Sequence, residues 1–127
     1  MPIEVVIEET SETVVVRWTG TVTFGDFQRA RSDVPAATGW SPHFAHVLDF
    51  TSVTALALST NDIKSLAAAK PIFAPDALQI LVARAGSVDY GISRMFEMYT
   101  EGKRRVHVVR SMEQAMALVE GARAATR

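Results

Sequence analysis

The chain has 127 residues, 48% of them hydrophobic and 21% charged, a balance that belongs to a globular domain rather than a disordered segment. Its formal charge of -1 creates no global field for nucleic acid or an anionic membrane, and the lack of cysteine excludes disulfides, thiol catalysis and cysteine-held zinc or iron–sulfur groups. No apolar run approaches the ~20 residues that cross a bilayer, and the start MPIEVVIEET is acidic where a secretory signal is basic. The expectation is therefore one cytoplasmic domain over residues 1–127, with no nucleic-acid partner and no membrane insertion.

In chain order, Ile3-Glu4-Val5-Val6-Ile7 and Thr13-Val14-Val15-Val16-Arg17-Trp18 are rich in β-branched residues and flank Ser11-Glu12, the pattern of an antiparallel hairpin. Thr21-Val22-Thr23 leads into a first helix, with Thr23 as N-cap and Asp26 near the positive end of the helix dipole. Phe27 and Val34 fall on its sheet side, Pro35 ends it, and Gly39-Trp40-Ser41-Pro42 is a loop. The nearly continuous apolar stretch 45–50 is a central strand that delivers Asp49 toward its carboxyl end.

Ser59, with Asp62 three residues on, opens a second helix whose inward stripe is Ile63, Leu66 and Ala67, and Pro71 stops it. Residues 78–83 form another buried strand. Ser87 caps a third helix with Ile92, Met95, Phe96 and Tyr99 on one face. Residues 105–109 are a short edge strand. Ser111 and Gln114 then make a capping box for a last helix carrying Ala115, Leu118, Val119 and Ala122. The order ββαβαβαβα predicts an α/β fold: a mixed five-stranded sheet with about four helices, parallel except for the first hairpin.

Four stretches resemble the SpoIIAA-like group of STAS/SEC14-domain proteins over nearly the whole chain. They are Gly20-Thr21-Val22-Thr23; Val47-Leu48-Asp49-Phe50-Thr51-Ser52-Val53 with Ser59 after it; Asp89-Tyr90-Gly91-Ile92-Ser93-Arg94-Met95-Phe96; and Val106-His107-Val108-Val109-Arg110 running into Ser111-Met112-Glu113-Gln114-Ala115. The resemblance implies a mixed α/β sandwich and a bacterial cytoplasmic protein. Relatives of the STAS class imply partner binding switched by serine phosphorylation at the start of the helix after the central strand. Sec14-type relatives imply a lipid in an apolar pocket. Where the STAS class carries an aspartate–serine pair, this chain reads Ala57-Leu58, and only the next residue, Ser59, offers a hydroxyl.

Several constellations bear on chemistry. Ser59, with Asp49 and Thr51 at the strand end, is a candidate switch or contact, although an N-cap alone accounts for Ser59. Tyr90, Arg94 and Met98 on the outer side of the third helix are residue types enriched at interfaces. Trp40 and Phe44, with Leu56, Leu58 and Phe73, are candidates for the wall of an apolar pocket. His43, His46 and Asp49 are three residues apart, a spacing that alternates faces along a strand and so does not gather a metal site. The sequence has no nucleophile elbow G-x-S-x-G and no Gly-rich phosphate loop.

No catalytic residue, metal or cofactor is expected. The leading expectation is a non-catalytic protein-interaction or regulatory module, a homodimer with an unidentified protein partner. The alternative is a carrier of a small apolar or lipid-like ligand. A third reading is an enzyme whose carboxylates are assembled only by the fold.

Overall fold

Alternating burial along two long strands sets the frame. In the computed structural model, which describes residues 3–125, β1 (Ile3–Glu8) pairs antiparallel with β2 (Thr13–Thr23), and β2 pairs parallel with β3 (Ala45–Ala57). β4 (Leu78–Val82) and β5 (Arg105–Val109) extend the sheet in parallel, giving the order β1-β2-β3-β4-β5. Strands that follow each other in the chain are thus neighbours in the sheet. The connections are α1 (Phe24–Asp33), α2 (Thr60–Ala68) and α3 (Val88–Tyr99), and α4 (Met112–Ala125) follows the last strand.

β2 and β3 run well past the segments expected from sequence. Between Arg17/Asp49 and Thr19/Ser52 the pairing gains one residue on β3, and it gains another between Gly20/Val53 and Thr21/Ala55. Each bulge turns the following side chains of β3 to the opposite face. Phe50, Val53 and Leu56 therefore all reach the same core, although strict alternation would not place them together. Gly20, at φ 69°, supplies a left-handed backbone position within β2 beside the second irregularity. The apolar run 55–58 is mostly strand, not connection.

The two faces of the sheet carry different layers. On one, Val14, Val16, Trp18, Leu48, Phe50, Leu81 and Val106 pack under Ala30, Val34, Phe27, Ile92 and Phe96 from the α1 and α3 regions. On the other, Val15, Val47, Leu78, Ile80 and Val82 meet Ala115 and Val119 of α4. β4 is buried on both sides, as its sequence, apolar except for Gln79, requires of a central parallel strand.

The helices start where their caps dictate. The Thr23 and Ser59 hydroxyls accept the amides of Asp26 and Asp62 at 3.3 and 3.1 Å, and both aspartates accept the N-cap amides in return. Ser87 accepts the Tyr90 amide at 3.0 Å. At α4 the reciprocal bond is displaced by one residue. The Ser111 hydroxyl accepts the Gln114 amide at 3.2 Å as expected, but the Gln114 side chain accepts from the Arg110 amide, at 2.8 Å, and not from Ser111. The glutamine is long enough to reach back one residue further.

Candidate functional site

Apolar residues on the α1–α3 side of the sheet do not close completely over it. A cavity of about 110 Å³ lies between Val16, Trp18, Leu48, Phe50 and Leu81 of the strands and Phe27, Ile63, Leu66, Ile92 and Phe96 of the helices. Trp18, Phe27 and Phe50 form an aromatic wall, with Trp18 and Phe27 stacked at 4.5 Å between centroids. Pro71, Ile72 and Phe73 lie against the hollow, as do Arg31 and Arg104.

Besides the two arginines, four buried polar residues interrupt this apolar lining: Trp18 and Ser93 (each 1% exposed), Gln79 (6%) and His46 (8%). Trp18 Nε1, Ser93 Oγ, Gln79 Oε1 and both ring nitrogens of His46 have no hydrogen-bond partner among the described residues. A single buried polar group left in this state costs about 1–3 kcal/mol, so five such atoms around one space are a conspicuous concentration. Burial also lowers the His46 pKa to about 4, which keeps the ring neutral, with one donor and one acceptor. Phe73 meets that ring edge-on at 5.1 Å.

Two guanidiniums stand at one end of the cavity. Arg31, in the last turn of α1, is exposed and donates Nη2 to the Lys70 carbonyl at 2.6 Å. Arg104 precedes β5 and donates Nη2 to the carbonyls of Leu66 (3.4 Å), Ala67 (3.2 Å) and Ala69. Both thus satisfy carbonyls at and beyond the C-terminal end of α2, where a helix leaves acceptors free and its dipole favours cations. Burial, then the charge of Arg31, lowers the pKa of Arg104.

The other candidate residues fall elsewhere. Asp49 is buried on the α4 side of β3, where its Oδ1 accepts from the Thr51 amide (2.9 Å) and hydroxyl (2.7 Å), and Arg17 Nε lies 4.0 Å from its other oxygen. From Thr51 to the end of β3 the extended chain covers roughly 20 Å, so Ser59 is not brought together with Asp49 and Thr51. Ser59 caps α2. On α3, the Tyr90 ring receives Arg110 at 5.8 Å, Arg94 pairs with Glu97 at 2.8 Å, and Met98 is 60% exposed. Of the residues named for a pocket, Leu56, Leu58 and Phe73 line the cavity, whereas Trp40 and Phe44 pack against the core outside its lining.

The cavity's polar set was missed as a set, yet one signal for it is present in the sequence. Ala45-His46-Val47-Leu48 and Leu78-Gln79-Ile80-Leu81 each place a polar residue second in an otherwise apolar central strand. Those two residues prove to be registered partners.

No family model matches the chain, and no curated protein matches it. Among solved structures, an uncharacterised protein of the DUF3478 family from Shewanella loihica PV-4, with a SpoIIAA-like fold, is similar over 92% of this chain and 93% of its own. The TM-score is 0.60 at 16% sequence identity. The chain has a SpoIIAA-like fold, with its five-stranded mixed sheet and four helices.

Proposed function

We propose that the protein binds a small, mainly apolar molecule between its sheet and the layer formed by α1, α2 and α3. The observation that carries this reading is the apolar hollow with unpartnered atoms of four buried polar residues around it. Ligand pockets combine a hydrophobic lining with a few placed polar groups in this way. Size limits the occupant. An engineered cavity of about 150 Å³ takes benzene, so about 110 Å³ suits a single ring or a short chain.

The Trp18 indole N–H is a built-in reporter, because its ring system lines the cavity while the N–H has no partner among the described residues. In a ¹H–¹⁵N spectrum titrated with benzene-sized probes, its resonance shifts and saturates while that of Trp40 stays in place. An unmoved Trp18 resonance at the solubility limit of every probe would remove the reading. The Ser93→Leu variant, which fills the hollow, abolishes the shift.

A second reading has a separate basis. Val88 (76% exposed) and Met98 (60%) leave apolar surface on the outer side of α3, and a groove beside β5 is lined by Arg94, Met95, Met98 and His107. Such a surface fits a protein contact, including one with a second copy of the chain. Sedimentation velocity of the wild type and of Met98→Glu tests it. A wild type that remains monomeric at high concentration, with no change on substitution, counts against a homodimer through this face.

A further inference from the structure

We propose that the ligand is a small apolar monocarboxylic acid, with its carboxylate against Arg31 and Arg104 and its hydrocarbon body against the aromatic wall of Trp18, Phe27 and Phe50. The inference rests on the binding function proposed above and narrows it to a chemical class.

The two guanidiniums come from separate parts of the chain and converge on the carbonyls at and beyond the end of α2. These bonds use Nη2 of each, and no hydrogen bond among the described residues uses Nε or Nη1 of either fork. Arg31 and Arg104, like Arg84, Arg105 and Arg110, have no carboxylate within 4.0 Å among the described residues, and of these five only Arg31 and Arg104 line the cavity. Two like charges have therefore been brought together, offset among the described residues by the negative end of a helix and, for Arg104, by the face of the Phe96 ring at 5.6 Å. A planar carboxylate suits what remains of both forks, because guanidinium N–H groups pair with its two oxygens.

The interior supplies an independent indication. His46 and Gln79 are more than nine-tenths buried, lie near the amino ends of their strands, and belong to the lining of the same cavity as Arg31 and Arg104, and both ring nitrogens of His46 are unpartnered among the described residues. A neutral imidazole donates one N–H and so adds a donor for a carboxylate oxygen without adding charge. Beyond these groups the lining is hydrocarbon and aromatic, which calls for an apolar body. The size of the space favours the smaller head of a carboxylate. A phosphate ester would bring close to two negative charges and a larger hydrated head into a space of about 110 Å³.

Isosteric probes separate charge from shape. Benzoate, benzamide and benzamidine have nearly the same outline and carry negative, zero and positive charge; hexanoate and hexanamide repeat the comparison with a chain. By calorimetry or ligand-observed NMR at low salt, the better acid binds about ten-fold or more tighter than its amide, and benzamidine binds weakest. Arg31→Gln, at an exposed position, leaves Arg104 in place and cuts the acid's advantage over its amide several-fold. Equal affinities for acid and amide in both series, or an acid preference unchanged by Arg31→Gln, overturn the carboxylate assignment and leave the cavity function standing. If no acid and no amide binds, both fall. The wild-type ratio is decisive even if the variant fails to fold.

Discussion

His46 and Gln79 are registered partners on the parallel strands β3 and β4, and both belong to the cavity lining and carry buried polar atoms, Oε1 of Gln79 and both ring nitrogens of His46, that have no hydrogen-bond partner among the described residues. A polar pair in the middle of a sheet otherwise built from Val, Leu and Ile opposes stability and leaves donors and acceptors for something else. Replacing such a group by an apolar one of similar shape relieves the desolvation cost. Gln79→Met is expected to raise stability by about 1 kcal/mol in urea unfolding and to weaken ligand binding. A lower midpoint for Gln79→Met would mean that Gln79 Oε1 has a partner in solution.

The neutral His46 predicts a pH dependence of known sign. Its folded pKa, about 4, lies below the ordinary 6.5 because burial penalises the imidazolium. Between these values the unfolded chain binds a proton that the folded one does not, so stability falls as pH drops from 6.5 to 4 and this contribution levels off below. The full effect is on the order of 3 kcal/mol. His46→Leu should remove this slope. Parallel pH profiles for the two proteins over that window would show that the folded chain accommodates the charged ring.

Phe27 lines the hollow on the α1 side, stacked on Trp18. Truncation to alanine costs about 3 kcal/mol, at the low end for a phenylalanine because the ring is only partly buried. It also enlarges the cavity. Phe27→Ala should therefore bind bulkier two-ring acids that the wild type rejects, measured by the same titrations. A variant with lower stability but unchanged size selectivity would place the binding space elsewhere.

At the start of α2, Ser59→Ala removes one of two reciprocal cap bonds and is expected to cost about 1 kcal/mol in thermal or urea unfolding. Ligand affinity should not change, since Ser59 does not line the cavity. A cost near zero would mean that water replaces the hydroxyl without loss.

Much of the architecture was legible because it rests on local chemistry. Thr23, Ser59 and Ser87 announce their helices through hydroxyls that only the following turn can satisfy, and the β-branched runs at 3–7 and 13–18 have no competing helical pattern. The length of β3 was not legible. Its second half depends on two bulges against β2, and bulges are a property of a strand pair rather than of one segment. The site was legible by halves for a similar reason. Leu56, Leu58 and Phe73 betray themselves as apolar residues near loops, whereas Arg31, Ser93 and Arg104 acquire meaning only when α1, α3 and the approach to β5 meet. Trp40 drew attention as a loop tryptophan, but the strand tryptophan, Trp18, forms the wall.

A sheet whose neighbours in space are neighbours in the chain can assemble by successive additions, a hairpin first and then parallel pairs whose registered partners lie 27 to 34 residues apart across a crossover. The hollow has the opposite character. Its boundary runs from Val16 to Arg104 and draws on three crossovers at once, so no half-built intermediate possesses it. Occupancy is therefore a tax levied only on unfolding: a ligand at a hundred times its dissociation constant deepens the native well by about 2.7 kcal/mol and leaves partly assembled chains untouched. The last part of that wall to be synthesised is Arg104, beyond α3, and its arrival decides when the chain first becomes able to hold its guest.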